Sequence, residues 1–250
     1  MMISIDRILE RLDSHLHKND YSSAERHLLY WLSESQKAGD HRAELLCCNE
    51  LMGLYRKLGR KSEAIACAEN ALERIDTLCI GHQVGAATTF LNCATVFKAF
   101  GDPHRSLSLF ERAKAIYEAE LDSDDGRLGG LYNNMALTLV DLCRFDEAKD
   151  MYRLAIELMG KRKDGVLEVA ITYLNLASAA EAELGLVDAD EMIQDYMDRA
   201  QELLEGFADR DGYYAFVCEK CASVFGYYGR FVYESELKDR ARRIYAGEGN

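Results

Sequence analysis

The stretch that decides the fold is LYNNMALTLVDLCRFDEAKDMYRLAIELM, residues 131–159. Tyr132, Met135, Ala136 and Leu139 share one face of a helix by their three- and four-residue spacing, and Ala148, Tyr152 and Ala155 share a face of a second. The turn between them is Cys143-Arg144-Phe145-Asp146. Alanines at 136, 148 and 155 let the two backbones approach, while the two tyrosines fill the remaining space. Such a pair cannot bury its apolar faces alone and needs neighbours of the same kind.

The rest of the chain supplies them. Phe90, Tyr132 and Tyr173 stand 42 and 41 residues apart, and Asn92, Asn134 and Asn175 repeat the same steps. Ala71, Ala113 and Ala155 recur at 42, as do Gly59 and Gly101. A fixed period in this range marks a stack of helix pairs in which each unit touches the next. The pairs fall at about 3–37, 40–79, 83–121, 129–161, 165–206 and 211–246. The first departs from the pattern, with Trp31 where later pairs carry Ala71 or Ala113, and the last mixes Leu237 and Ile244 with many charges, as a cap would. In the fifth, Ala200 follows Ala155 by 45 residues, which predicts a longer turn near Leu184-Gly185-Leu186-Val187. Gly101-Asp102-Pro103 is the best-marked boundary, combining helix stop, N-cap and first-turn proline.

This recurrence resembles the tetratricopeptide repeat, in the longer-period variety found in kinesin light chain. The resemblance implies an all-α, right-handed α-solenoid of about six helix-turn-helix repeats, forming one domain over 1–250. It also implies a non-enzymatic protein-interaction module that holds an extended peptide or a helix in its concave groove. The alternative is a bacterial-type regulator that senses a signalling peptide. In such solenoids the first helix of each repeat lines the groove, which makes Asn49, Asn92, Asn133, Asn134 and Asn175 the candidate peptide-binding residues. An amide both donates and accepts, so it can grip a peptide backbone; equally, these amides can brace neighbouring first helices. By helical phase, Asn92, Asn134 and Asn175 point away from the stack and Asn133 lies on the flank. The basic positions with which some family members grip a C-terminal carboxylate are not matched: Leu46, Thr88, Gly130 and Ile171 occupy one such row.

Composition agrees. One proline, 48% hydrophobic residues and abundant Ala, Leu and Glu favour helix. Acidic residues outnumber basic ones 43 to 30, so the net charge of −13 would repel a phosphate backbone, and no nucleic-acid partner is expected. The opening MMISIDRILERLDSH has no apolar run fit for export or membrane insertion, which predicts a cytoplasmic protein with no membrane role.

No catalytic, metal or cofactor site emerges. Cys218 and Cys221 form a CxxC, but no second ligand pair follows, and both occupy apolar core positions. Cysteines 47, 48, 67, 79, 93 and 143 are scattered through helices without a disulfide pattern, as core packing in a reducing compartment would have them. Asp122-Ser123-Asp124-Asp125-Gly126 begins like a calcium loop, yet its acidic spacing is off by a position and Tyr132 stands where the closing Glu belongs. The histidines form no nucleophile–base unit. Phe90, Tyr132 and Tyr173 read as core, whereas Tyr213, Tyr214, Tyr227 and Tyr228 read as a sticky rim or as cap packing.

Overall fold

The computed structural model describes residues 3–247, and among them it holds twelve helices and no strand. They form six hairpins: α1 (Ile5–Leu16) with α2 (Tyr21–Ala38), α3 (His41–Lys57) with α4 (Lys61–Leu78), α5 (Val84–Ala99) with α6 (Pro103–Glu120), α7 (Gly126–Asp141) with α8 (Phe145–Met159), α9 (Val166–Leu184) with α10 (Asp190–Gly206), and α11 (Gly212–Tyr227) with α12 (Phe231–Tyr245). The all-α repeat expectation holds hairpin by hairpin.

Five of the six hairpin turns close in one way. The amide of the residue before the second helix donates to the carbonyl five residues back: Asp20 to His15, Arg60 to Tyr55, Asp102 to Phe97, Arg144 to Leu139 and Arg230 to Phe225, at 2.8–3.0 Å. The residue preceding each donor is left-handed, with φ between 54° and 85°, at Asn19, Gly59, Gly101, Cys143 and Gly229. This closure satisfies carbonyls that a helix end leaves unpaired. Three turns use glycine, which pays no Cβ penalty there; Asn19 and Cys143 are held in that conformation by the same hydrogen bond. The fifth hairpin differs, as its 45-residue step predicts: Gly185 ends α9 at φ 84° and residues 186–189 intervene before α10. At the Gly101-Asp102-Pro103 junction, the Asp102 carboxylate accepts from the Arg105 amide at 3.1 Å, with Pro103 in the first turn.

The helices form two compact units, one ending at Asp122 and the other beginning at Ser123. In the first, α3 packs directly on α5, and a core of Leu51, Met52, Phe90, Phe97, Phe110 and Tyr117 lies between the hairpins. In the second, α7 packs on α9 and α9 on α11, around Leu167, Leu174, Met197, Tyr214 and Phe225. Each fully buried aromatic or aliphatic side chain contributes about 1.5–3 kcal/mol. In both units the first helices of successive hairpins therefore lie side by side, with one face turned away from the second helices. Ala136 and Ala148 are 0% and 1% exposed, as close helix approach demands.

Two particulars depart from expectation. Cys79 and Cys143 are exposed, at left-handed positions that end α4 and the α7 turn, whereas the other six thiols are buried. Tyr152 is fully buried, as its place on the packed face predicts, but among the described residues its hydroxyl has no hydrogen-bond partner. Phe110, 42 residues earlier, fills the corresponding place without that oxygen.

Candidate protein-interaction face

The asparagines sit on the first helices, and the structure joins four of them in two pairs. In the first unit, Asn49 Nδ2 donates to Thr89 Oγ1 at 3.0 Å, and Asn92 Nδ2 donates to Asn49 Oδ1 at 3.3 Å. In the second, Asn133 Oδ1 accepts from Asn175 Nδ2 at 3.0 Å and from Thr172 Oγ1 at 3.3 Å. Each pair bridges two adjacent first helices through the same amide-to-amide contact. Asn134 stands apart, its amide turned back to the Gly130 carbonyl at 2.8 Å. Helical phase had set Asn134 in the row and Asn133 on its flank; in the structure the inter-helix contact belongs to Asn133, which is buried where α9 covers it. Bracing thus occupies at least one group of every paired amide.

Helical periodicity extends each row by seven residues in both directions, about 10.5 Å per step. On α3 the row is Arg42, Asn49 and Arg56, with both arginines exposed. On α9 it is Glu168, Asn175 and Ala182, and 45 residues later on α11 it is Tyr213, Lys220 and Tyr227. Tyr213 and Tyr227 are 43% and 68% exposed, and Phe216 beside them is 51% exposed. Tyr214, by contrast, is buried, so the four C-terminal tyrosines divide between face and core.

Tyrosine hydroxyls tie α11 to α9. Tyr213 Oη donates to Glu168, while Tyr227 Oη and Tyr228 Oη donate to the two carboxylate oxygens of Glu181, each at 2.7 Å. Burial, then the Glu168 hydrogen bond, pushes the Tyr213 phenol above its ordinary range. For Tyr227 the Glu181 hydrogen bond is the leading cause of the upward shift, and for Tyr228 it is burial. These phenols stay protonated donors throughout the physiological range. Sequence reasoning flagged the tyrosines but missed Glu168 and Glu181. The signal was present in the 45-residue offset that sets Glu168 beside Tyr213.

The other sequence candidates resolve into structure. Cys218 and Cys221 are buried, and burial raises their thiols to about 11 and about 12, far from a reactive thiolate. Asp125 caps α7 through the Arg127 amide at 2.9 Å, and Arg127 holds its carboxyl down at about 2. Among the described residues no group of three or more His, Cys, Asp or Glu is placed to hold a metal ion, and no helix is long and apolar enough to cross a membrane.

A stack of helix hairpins with paired first helices defines a helical repeat protein. Family models place its class: the tetratricopeptide repeat matches residues 37–119 and again 130–159, and the chain carries tetratricopeptide repeats. A curated relative, "Protein KINESIN LIGHT CHAIN-RELATED 2" of Arabidopsis thaliana, is 23% identical over 145 residues, which are 56% of this chain and 22% of that protein. The chain thus spans about a fifth of that relative's length. The solved structure of BtubC (BKLC) from P. vanneervenii superposes with a TM-score of 0.55 at 20% identity, covering 91% of this chain and 92% of that one. A Rap protein complexed with competence and sporulation factor superposes at 0.62 with 15% identity, covering 96% of this chain and 63% of that one. At these identities the structural likeness speaks for the fold.

Proposed function

We propose that this chain is a non-enzymatic protein-interaction module whose first-helix face holds a segment of a partner protein. Tetratricopeptide repeats generally mediate protein–protein interaction, and the fold here is theirs. One observation carries the reading to a place: Tyr213, Phe216 and Tyr227 stand exposed in a row on α11. Large side chains left in water on one helix face are the usual mark of a contact surface, since aromatics supply most interface energy. The amide of Asn175 adds a polar group on the neighbouring α9, although its donor already serves a brace. A photo-crosslinking residue at Phe216 should trap a protein partner in the native cell, while one at Met192 on α10, also exposed, should not. Adducts at Met192 alone would place the contact on the second helices and overturn the reading.

A peptide-responsive regulator is the second reading, supported by the likeness to the Rap–peptide structure. It adds to the first only a change in curvature on binding. A distance measured between spin labels on α7 and α11 that shifts on adding the captured partner segment would favour it.

A further inference from the structure

One three-part arrangement recurs in this chain. Tyr55 Oη donates to Glu25 at 3.0 Å, and Arg60 both bonds Glu25 at 2.7 Å and lies 4.5 Å over the Tyr55 ring. Tyr233 Oη donates to Glu205 at 2.7 Å, and Arg240 both bonds Glu205 at 2.6 Å and lies 5.8 Å over the Tyr233 ring. In each, a phenol and a carboxylate form a corner that a guanidinium fills, through charge on one side and the ring quadrupole on the other. Two more corners of this construction lie on the α9–α11 seam. At one end are Glu168, Tyr213 and the Phe216 ring stacked against it at 6.3 Å; at the other are Glu181, Tyr227 and Tyr228, whose rings meet edge-on at 4.9 Å. Among the described residues no lysine or arginine pairs with Glu168 or Glu181, and none lies over these four rings.

We infer that these two corners receive lysine or arginine side chains of a partner, and that the partner is an extended dibasic segment lying along the α9–α11 seam. The inference rests on the first-helix face being the interaction surface and adds the chemistry of its occupant. Charge favours it: the chain carries a net −13, and the exposed Glu219 on α11 adds a third carboxylate to the half-buried Glu168 and Glu181 on α9. Geometry sets the spacing. Tyr213 and Tyr227 are fourteen residues apart on α11, about 21 Å. An extended chain advances about 3.4 Å per residue and points alternate side chains to one side, so cations at i and i+6 reach both corners from one face. Between the corners, Asn175 Oδ1 and Lys220 Nζ offer an acceptor and a donor to the segment's main chain.

The test is an anisotropy titration of the full chain with a labelled, unstructured Lys-x5-Lys peptide. The peptide should bind about tenfold more tightly than the same composition with lysines two apart, and the affinity should fall with added salt. The double variant Glu168→Gln/Glu181→Gln keeps an acceptor for Tyr213 and for one of the Tyr227–Tyr228 pair, while the other phenol oxygen can accept from the new amide; with helicity and melting checked against the parent, it should lose about tenfold or more, and Tyr227→Ala should lose less. Equal binding by the double variant overturns the inference. So does tighter binding of a helical probe with lysines fourteen apart, or self-association of the chain that depends on the same residues. Binding of the matching Glu-x5-Glu peptide in place of the lysine one would refute the dibasic partner while leaving the first-helix face as the contact surface.

Discussion

The two units share one brace and differ in what surrounds it. In the first, Asn49 and Asn92 are flanked on α3 by Arg42 and Arg56, and the Tyr55–Glu25 corner is filled by Arg60. In the second, Asn133 and Asn175 are flanked by Glu168 and by the Tyr213–Lys220–Tyr227 row, and two corners hold no lysine or arginine among the described residues. The difference teaches that the amide pair belongs to the architecture of stacked first helices, whereas residues seven positions either side set the surface. A feature that appears in both units is there for packing; a feature in one alone is the better guide to what the surface contacts.

Breaking the packing gives the largest expected effect. Ala148→Glu would drive a carboxylate between α7 and α8 where the native side chain is 1% exposed, at a cost of about 3–5 kcal/mol. Thermal or urea unfolding would show it, and a wild-type midpoint would mean that the hairpin register is wrong. The braces come next. Asn133→Ala should cost about 1–3 kcal/mol, because it strands the Asn175 amide beside a buried site, while the Thr172 hydroxyl keeps its bond to the Glu168 carbonyl. Asn49→Ala, at a half-buried site open to water, should cost about 0.5–1.5 kcal/mol. Equal losses in urea titrations would erase that distinction between the units.

Smaller effects sharpen the comparison from the other side. Tyr152→Phe removes a buried hydroxyl with no partner and restores the ring found at Phe110, so unfolding should become about 1 kcal/mol harder. Cys143→Gly should add about 0.5–1 kcal/mol, because the first unit closes two of its turns with Gly59 and Gly101 at the same left-handed conformation. Least perturbing is thiol labelling of the native protein near pH 8. Cys79 and Cys143 should react quickly, while the six buried thiols, four of them raised to about 12 by burial, should wait for unfolding.

The fold was legible because its signals repeat. Ala71, Ala113 and Ala155 each hold a place where two helices touch, so one spacing reports three contacts, and even the irregular fifth turn showed itself in the position of Ala200. The site was legible only in part. The asparagines announced themselves by recurrence, yet recurrence cannot separate a brace from a binding group, since both sit on the first helix at one period. Asn133 and Asn134 lie about 100° apart round the helix, yet both fall 41 or 42 residues from Asn92 and from Asn175, so spacing alone does not choose between them. Glu168 and Glu181 were hidden for the opposite reason: nothing in the other hairpins repeats them. Cys143 was misplaced because a hydrogen bond from Arg144 to Leu139 imposes a backbone conformation that a cysteine does not advertise.

The corners at Tyr55 and Tyr233 are filled from within by Arg60 and Arg240, whereas those at Tyr213 and Tyr227 hold no lysine or arginine among the described residues. Carbon-13 labelling of the tyrosine rings, followed by NMR titration with the Lys-x5-Lys peptide, tests this directly. Shifts are expected at Tyr213, Tyr227 and Tyr228, with Tyr55 and Tyr233 unmoved. Movement of Tyr55 and Tyr233 together with the others, or of none of the five, would contradict it.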